Sequence, residues 1–181
     1  MSRIGRELQL TLQAAHSEAV SRRHAYLTVE HPLYALLYSD EGARILHHSG
    51  AQVERLKRDL ERFFNDDLDH VPGDEPVDTL QTLAFHRVLQ HALDHTESAE
   101  KDEVEISDLV VALYQEPDSY AVNLLREQEV SRLDLLRFIS HGESKARGPE
   151  PSGGDTEPGR RVQSGGDGEG EVSDDPLSAY A

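Results

Sequence analysis

Apolar residues in the first 142 positions recur at the three- and four-residue spacing that places side chains on one face of a helix. The stripes are Ile4–Ala19, Leu33–Leu37 and Val53–Phe64 in the first half, with Leu80–Asp94, Ile106–Tyr114, Tyr120–Arg126 and Val130–Ser140 in the second. The chain breaks at "DEG", and the segment "ARILHHSG" that follows adds a short helix closed by Gly50. No stretch alternates with a period of two for long enough to indicate a strand. The pattern predicts an all-α fold of eight helices and no sheet.

The start of the second helix can be interpreted in two ways. Thr28 is a candidate N-cap, because its hydroxyl can accept a hydrogen bond from a free first-turn N–H. Pro32 is then the fourth helical residue, where its missing N–H forfeits an intrahelical bond. Alternatively, the helix starts in a tight turn and becomes regular from Pro32 onward.

The two halves of the pattern match each other at a constant offset of 77 residues. The matched positions are Leu8 with Phe85, Leu12 with Leu89, Ala15 with Ala92, Ala35-Leu36 with Ala112-Leu113, and Val53–Leu56 with Val130–Leu133. Two copies are too few for a solenoid, which buries its core by stacking several repeats. We therefore expect one pseudo-twofold domain over residues 1–142, with repeats at about 4–66 and 78–142.

The composition changes after Gly142. Residues 143–181 hold eight of the 13 glycines and four of the eight prolines, with nine acidic and four basic side chains. Such a segment buries too little apolar surface to offset the entropy of ordering it. The sequence predicts a flexible acidic linker over 143–181.

Charge and composition exclude several classes of function. The net charge of −17 argues against nucleic acid and against anionic membrane surfaces as partners, since both attract basic proteins. There is no cysteine, which rules out disulfides and thiolate chemistry. No apolar run is long enough to span a bilayer, and "MSRIGRELQL" lacks the apolar segment of a secretory signal. We expect a cytoplasmic protein.

Glu30 and His31 are the residues that first suggest catalysis or metal binding. Their counterparts in the second repeat are Ser107 and Asp108, so the pair occupies the first turn of a helix in each repeat. A carboxylate at that position complements the partial positive charge of the helix N-terminus. We expect an exposed capping role for Glu30, with His31 as its surface neighbour.

Other residue patterns favour a binding module over an enzyme. His91 and His95 have the spacing of metal ligands on a helix, but the sequence fixes no third ligand beside them, and we interpret them as solvated. No lysine follows a glycine as in a phosphate-binding loop, and there is no Gly-x-Ser-x-Gly elbow. The sequence therefore predicts no catalytic residue, metal site or cofactor within this chain.

The segments "ELQLTLQAAHSEAVSRRHAYLTVEHPLYALL", "TLAFHRVLQHAL" and "VSRLDLLRFISHG" together resemble the N-terminal repeat domain of the ClpA-type Clp AAA+ unfoldases, the ATP-binding subunits of the Clp protease. The resemblance covers about residues 4–142. It implies a bundle of eight helices that binds substrates and adaptors for unfolding and degradation. The closing "DDPLSAYA" resembles the linker that enters the first ATPase module, so ATP would be a cofactor of a longer parent protein.

The same resemblance implies partners and site residues. The partners would be a ClpS-like adaptor, substrate polypeptides and, through the ATPase modules, the Clp peptidase. The adaptor-binding positions of the family correspond to Glu30, Thr82 and Arg87. His24 matches the histidine that precedes the motif, whereas Ala25 and Pro32 replace a common acidic and a common apolar residue.

Two other non-enzymatic functions remain open from the sequence. One is a free-standing regulator that uses the same fold to bind peptides or small ligands. The other is a structural oligomerisation module.

Overall fold

The computed structural model describes residues 3–146, which contain eight α-helices and four very short strands. In chain order the elements are β1 (Arg3–Ile4), α1 (Arg6–Ser21), β2 (Tyr26–Leu27), α2 (Glu30–Tyr38), α3 (Asp40–His48), α4 (Val53–Asp66), β3 (Leu80–Gln81), α5 (Leu83–Ser98), β4 (Glu103–Val104), α6 (Ile106–Ala112), a 3₁₀ turn (Leu113–Gln115), α7 (Tyr120–Glu127) and α8 (Arg132–His141). The all-α fold of eight helices is thus confirmed in the described part of the chain.

The expectation of no sheet is wrong. β1 pairs with β4 and β2 pairs with β3, both in parallel. A strand of two residues is too short to produce a period-two pattern, which explains why the sequence did not reveal it. Each pair joins a strand of one repeat to a strand of the other, so the two repeats interlock.

The offset of 77 residues holds through the first half of each repeat. Arg23 and Glu100, 77 positions apart, both adopt positive φ, 60° and 58°. Leu36 and Leu113 are both fully buried, as the alignment requires. Both repeats contribute to one continuous hydrophobic core.

The offset increases to 79 in the second half of each repeat. α4 begins at Val53 and α8 begins at Arg132. Leu56 is fully buried, whereas Leu133, its predicted equivalent, is 55% exposed. The pairing of Val53–Leu56 with Val130–Leu133 is therefore wrong, and Leu135, which is fully buried, takes the position equivalent to Leu56.

The change of offset comes from the connection before the third helix of each repeat. Ser39 ends α2 and also caps α3, so the first repeat has no intervening residues there. In the second repeat, a 3₁₀ turn and three further residues separate α6 from the α7 cap, Ser119. At the offset of 77 the 3₁₀ turn matches the last three residues of α2, so the connection is longer by the three residues before Ser119. Because α7, with 8 residues, is one residue shorter than α3, with 9, the net shift is two.

The abrupt α2–α3 junction depends on Gly42. α3 begins at Asp40, so the predicted break at "DEG" is wrong. The hydroxyl of Ser39 accepts a hydrogen bond of 2.8 Å from Gly42 N in the first turn of α3. A Cβ on Gly42 would lie 2.4 Å from the carbonyl oxygen of Leu36. Only glycine fits where the two helices approach so closely.

The structure also settles the start of α2. The N-cap is Val29, without a side-chain cap, so the prediction of Thr28 as the N-cap is wrong. Pro32 is the third helical residue, where the backbone N–H has no intrahelical partner in any helix. Proline therefore forfeits no hydrogen bond here.

The predicted domain boundary lies at the end of α8. Gly142 ends the helix in the left-handed conformation, with φ 70°. Beyond it, Lys145 N donates to His48 O at 2.7 Å, and Lys145 Nζ lies 2.8 Å from Asp134 Oδ2. The chain thus packs against α3 and α8 up to the last described residues. Positions 147–181 of the predicted linker lie outside the described residues.

Candidate partner-binding surface

Glu30 is buried, contrary to the expectation of an exposed carboxylate. Its residue exposure is 6%, and Oε2 accepts a hydrogen bond of 2.9 Å from Ala121 N, in the first turn of α7. Ser119 Oγ accepts from the next amide, Val122 N, at 3.2 Å. The first turn of α2 packs against α7 instead of facing solvent. Glu30 therefore compensates the N-terminus of a helix in the other repeat.

Thr82 is the N-cap of α5 and is partly exposed. Its hydroxyl accepts from Phe85 N at 3.1 Å and donates to Leu27 O at 3.0 Å. The backbone N–H of Thr82 also donates to Leu27 O, at 3.1 Å. Thr82 thus fixes the start of α5 to β2.

Arg87 lies on the exposed side of α5 and forms a two-pronged ion pair with Glu116. The Nε–Oε2 and Nη2–Oε1 distances are 2.8 and 2.7 Å, and the Arg87 side chain is 59% exposed. Hydrogen bonding to Arg87 holds the pKa of the Glu116 carboxyl below its usual range. Exposed ion pairs contribute little to stability, and the exposed guanidinium of Arg87 remains accessible to a partner.

The loop before α7 links two of the three predicted site residues. Arg87 holds Glu116 at the start of this loop, and Glu30 holds Ala121 at its end. Thr82 caps α5 and Arg87 lies within α5, and both are accessible. Glu30 is buried under the loop and holds its end through Ala121 N.

Three exposed apolar side chains lie beside Thr82, and none of them was predicted as part of the site. Tyr26 and Leu80 are paired across β2 and β3 and are 55% and 54% exposed, and Leu83 is 76% exposed. Leu80 was assigned to a helical stripe, which concealed its position on a strand. We define the α5 surface as Tyr26, Leu80, Thr82, Leu83 and Arg87.

A groove between α1 and α5 adjoins the α5 surface. Its volume is about 470 Å³, and its wall is mostly apolar. The lining side chains include Leu12, Gln13 and His16 from α1, Leu27 from β2, and Phe85 and Leu89 from α5. Such a groove can accept an apolar segment of another polypeptide.

His31 is fully buried, so its predicted place on the surface is wrong. Its ring stacks on Phe64, with the ring centroids 4.8 Å apart, and Nε2 lies 2.8 Å from Nδ1 of His24. Burial lowers the pKa of His31 to about 3. This pair of neutral histidines was not recognised from the sequence.

Within residues 3–146, no three or more histidine or carboxylate side chains come together in a way that could hold a metal ion. His95, one of the two histidines with ligand spacing, lies 3.2 Å from Asp108 Oδ1 instead. None of the described helices is long and apolar enough to cross a membrane.

Comparison with known proteins identifies the family. Residues 3–128 match the family described as the Clp repeat (R) N-terminal domain. The chain belongs to this family. The predicted resemblance to the N-terminal domain of Clp unfoldases is therefore confirmed.

A ClpA homolog is among the relatives of this Clp repeat domain. The chain is 36% identical over 152 residues to a ClpA homolog protein of Fuscovulum blasticum, a match that covers 83% of this chain and 19% of that protein. The chain thus spans about a fifth of that relative's length.

Solved structures share the fold at lower identity. The Hsp104 N-terminal domain from Candida albicans matches with a TM-score of 0.65 and 13% identity, over 80% of this chain and 96% of that one. A ClpV N-domain in complex with a VipB peptide matches with a TM-score of 0.59 and 19% identity, over 80% of this chain and 91% of that one.

Proposed function

We propose that this chain is the substrate- and adaptor-binding module of an ATP-dependent Clp unfoldase, and that it captures proteins for unfolding and degradation. The observation that supports this most is the α5 surface, where an exposed arginine and three exposed apolar side chains adjoin an apolar groove. Arginine and aromatic anchors beside a pocket are typical of binding hot spots. The structure of a related ClpV N-domain with a peptide supports the same general role.

The proposed partners differ in how they would use this surface. A ClpS-like adaptor would contact Thr82 and Arg87. Glu30 would contribute indirectly, because its buried carboxylate fixes the end of the loop before α7. Substrate polypeptides would place apolar segments in the α1–α5 groove. The ATPase modules of a longer parent would bind ATP, carry out catalysis and contact the Clp peptidase. We propose that this parent acts in the cytoplasm.

The groove also favours a second candidate function. A free-standing peptide-binding or small-ligand-binding regulator would need the groove but not Arg87. Replacement of Arg87 should therefore weaken adaptor binding under the first function and leave ligand binding unchanged under the second.

We expect Arg87→Ala to weaken binding of a ClpS-like adaptor by about 5- to 30-fold, because the substitution removes the exposed cation of the α5 surface. Isothermal titration calorimetry of the adaptor into wild type and variant measures this effect. Arg3→Ala is the matched control, since Arg3 also forms an exposed ion pair, with Glu103, and its loss changes the net charge equally.

The control variant should bind the adaptor like wild type. An unchanged affinity for Arg87→Ala, or an equal loss in Arg3→Ala, would contradict the proposed role of Arg87. If the adaptor does not bind wild type while apolar peptides do, the second candidate function is favoured.

A further inference from the structure

The buried histidines His24 and His31 lie in a continuous chain of hydrogen bonds. Thr28 N lies 2.9 Å from Nδ1 of His31, the two rings are joined at 2.8 Å, and Nε2 of His24 lies 3.3 Å from Phe64 O. A backbone N–H can only donate, so Nδ1 of His31 accepts, and the proton of this ring is on Nε2. His31 then donates to Nδ1 of His24, which donates through Nε2 to the carbonyl.

A further proton has no suitable place in this arrangement. On Nδ1 of His24 it would face the N–H of His31, and on Nδ1 of His31 it would face the backbone N–H of Thr28. The Thr28 hydroxyl, 3.1 Å from Nδ1 of His31, could accept such a proton but would not remove that conflict. Both histidines are at most 1% exposed, so water does not solvate an added charge.

The groups that face the pair do not compensate a positive charge on it. Glu18 of α1 and Arg22, the C-cap of α1, are already paired with each other. His70 approaches from the connection after α4, with its ring centroid 5.1 Å from that of His24. Phe64 of α4 is apolar. Burial lowers the pKa values of both His24 and His31, which agrees with the geometry.

The second repeat has an ion pair at the same two positions. Lys101 and Asp108, 77 residues after His24 and His31, are joined at 2.8 Å, and Asp108 Oδ2 accepts from Glu105 N at 2.8 Å. This second bond is the counterpart of the one between Thr28 and His31. An ammonium–carboxylate pair keeps both charges over the pH range in which free histidines titrate. His95 Nδ1 also lies 3.2 Å from Asp108 Oδ1, so a proton on that ring would face a carboxylate and not an N–H donor. The two repeats therefore differ in acid sensitivity at equivalent sites.

The segment that contains His24 holds the connection between the repeats. Arg23 Nε donates to Val71 O at 2.9 Å, and Thr79 Oγ1 donates to His24 O at 2.8 Å. Leu80 N donates to Ala25 O at 3.0 Å, which begins the β2–β3 pairing. The position of His24 thus determines that of β3 and of the start of α5.

We propose that His24 and His31 form an acid-sensitive latch that holds the β2–β3 pair, and with it the α5 surface, in place near neutral pH and releases it on protonation. The latch regulates the surface on which the proposed function rests. Below the ordinary histidine pKa of about 6.5, the released form takes up protons that the latched form cannot, so the latched form loses stability as the pH falls. The β1–β4 pair, next to Lys101 and Asp108, should not respond.

Native-state amide hydrogen exchange tests the latch in the isolated chain, without any partner, so its outcome is independent of adaptor binding. The amides of Leu80 and Thr82 bond across β2–β3, and those of Arg3 and Gly5 bond across β1–β4 at equivalent positions. After correction for intrinsic exchange rates, lowering the pH from about 7 to about 5 should reduce protection of the β2–β3 amides about tenfold more than that of the β1–β4 amides. An equal reduction in both pairs would overturn the proposal.

A double substitution provides the second test. His24→Lys with His31→Asp transfers the ion pair of the second repeat into the first, and it should abolish the difference between the two strand pairs. His141→Gln, at an exposed histidine in the last turn of α8, is the matched control and should retain the difference. If the double variant does not fold, NMR titration of the wild-type imidazoles decides the question. Ordinary titration of both rings near pH 6.5, with no change in the β2–β3 amides, would overturn the latch.

Discussion

Glu30→Arg is expected to lower the free energy of unfolding by about 3–5 kcal/mol. The carboxylate of Glu30 is buried and accepts from Ala121 N at the start of α7. An arginine there would bury a cation against the partial positive charge of a helix N-terminus and would leave that N–H unpaired. The exposed helix end that the sequence predicts for Glu30 would give a much smaller loss, of about 0.3–1 kcal/mol.

Glu30→Gln is the matched control for this prediction. It removes the charge but keeps an acceptor oxygen for Ala121 N, so it should lose only about 1–2 kcal/mol. Urea denaturation followed by circular dichroism measures both variants. A Glu30→Arg variant as stable as wild type would show that the carboxylate does not compensate the partial positive charge at the N-terminus of α7.

Leu135→Ala is expected to lower the free energy of unfolding by about 2–5 kcal/mol, whereas Leu133→Ala should change it by less than about 0.5 kcal/mol. Leu135 is fully buried, like its equivalent Leu56, and Leu133 is 55% exposed. The buried pair Leu36 and Leu113 should each show the larger loss when changed to alanine. Urea denaturation measures the free energy of unfolding of all four variants. A loss for Leu133→Ala as large as that for Leu135→Ala would contradict the offset of 79.

The sequence predicted the helices because their apolar stripes are long. It predicted the duplication because the offset is constant over α1 and α5, and Leu36 and Leu113 are both buried as expected. It did not predict the change to an offset of 79, which depends on the extra residues between α6 and α7. A matching run such as Val53–Leu56 and Val130–Leu133 can arise by chance where the true register differs.

The environment of Glu30 and His31 could not be predicted from local sequence. A first-turn glutamate is usually solvated, and here only the packing of α2 on α7 buries it. The histidine pair gave one signal that could have been used. At the offset of 77, His24 and His31 correspond to Lys101 and Asp108, whose opposite charges suggest a contact at both sites.

The accessible part of the site was predicted only by resemblance. Thr82 and Arg87 were predicted from the family resemblance, and the structure places Thr82 at the N-cap of α5 and Arg87 exposed within α5. Tyr26 and Leu83 were missed because exposed apolar side chains cannot be distinguished from core positions before the register is known.

Mapping the binding site of a ClpS-like adaptor by NMR tests the proposed function most directly. The adaptor is added to the isotopically labelled chain, and changes in backbone amide shifts are recorded over residues 3–146. The largest changes should fall on the α5 surface and on the loop from Glu116 to Ala121, with little change in α3 and α8. Changes centred on α3 and α8, or no changes with the adaptor in large excess, would contradict the proposed function.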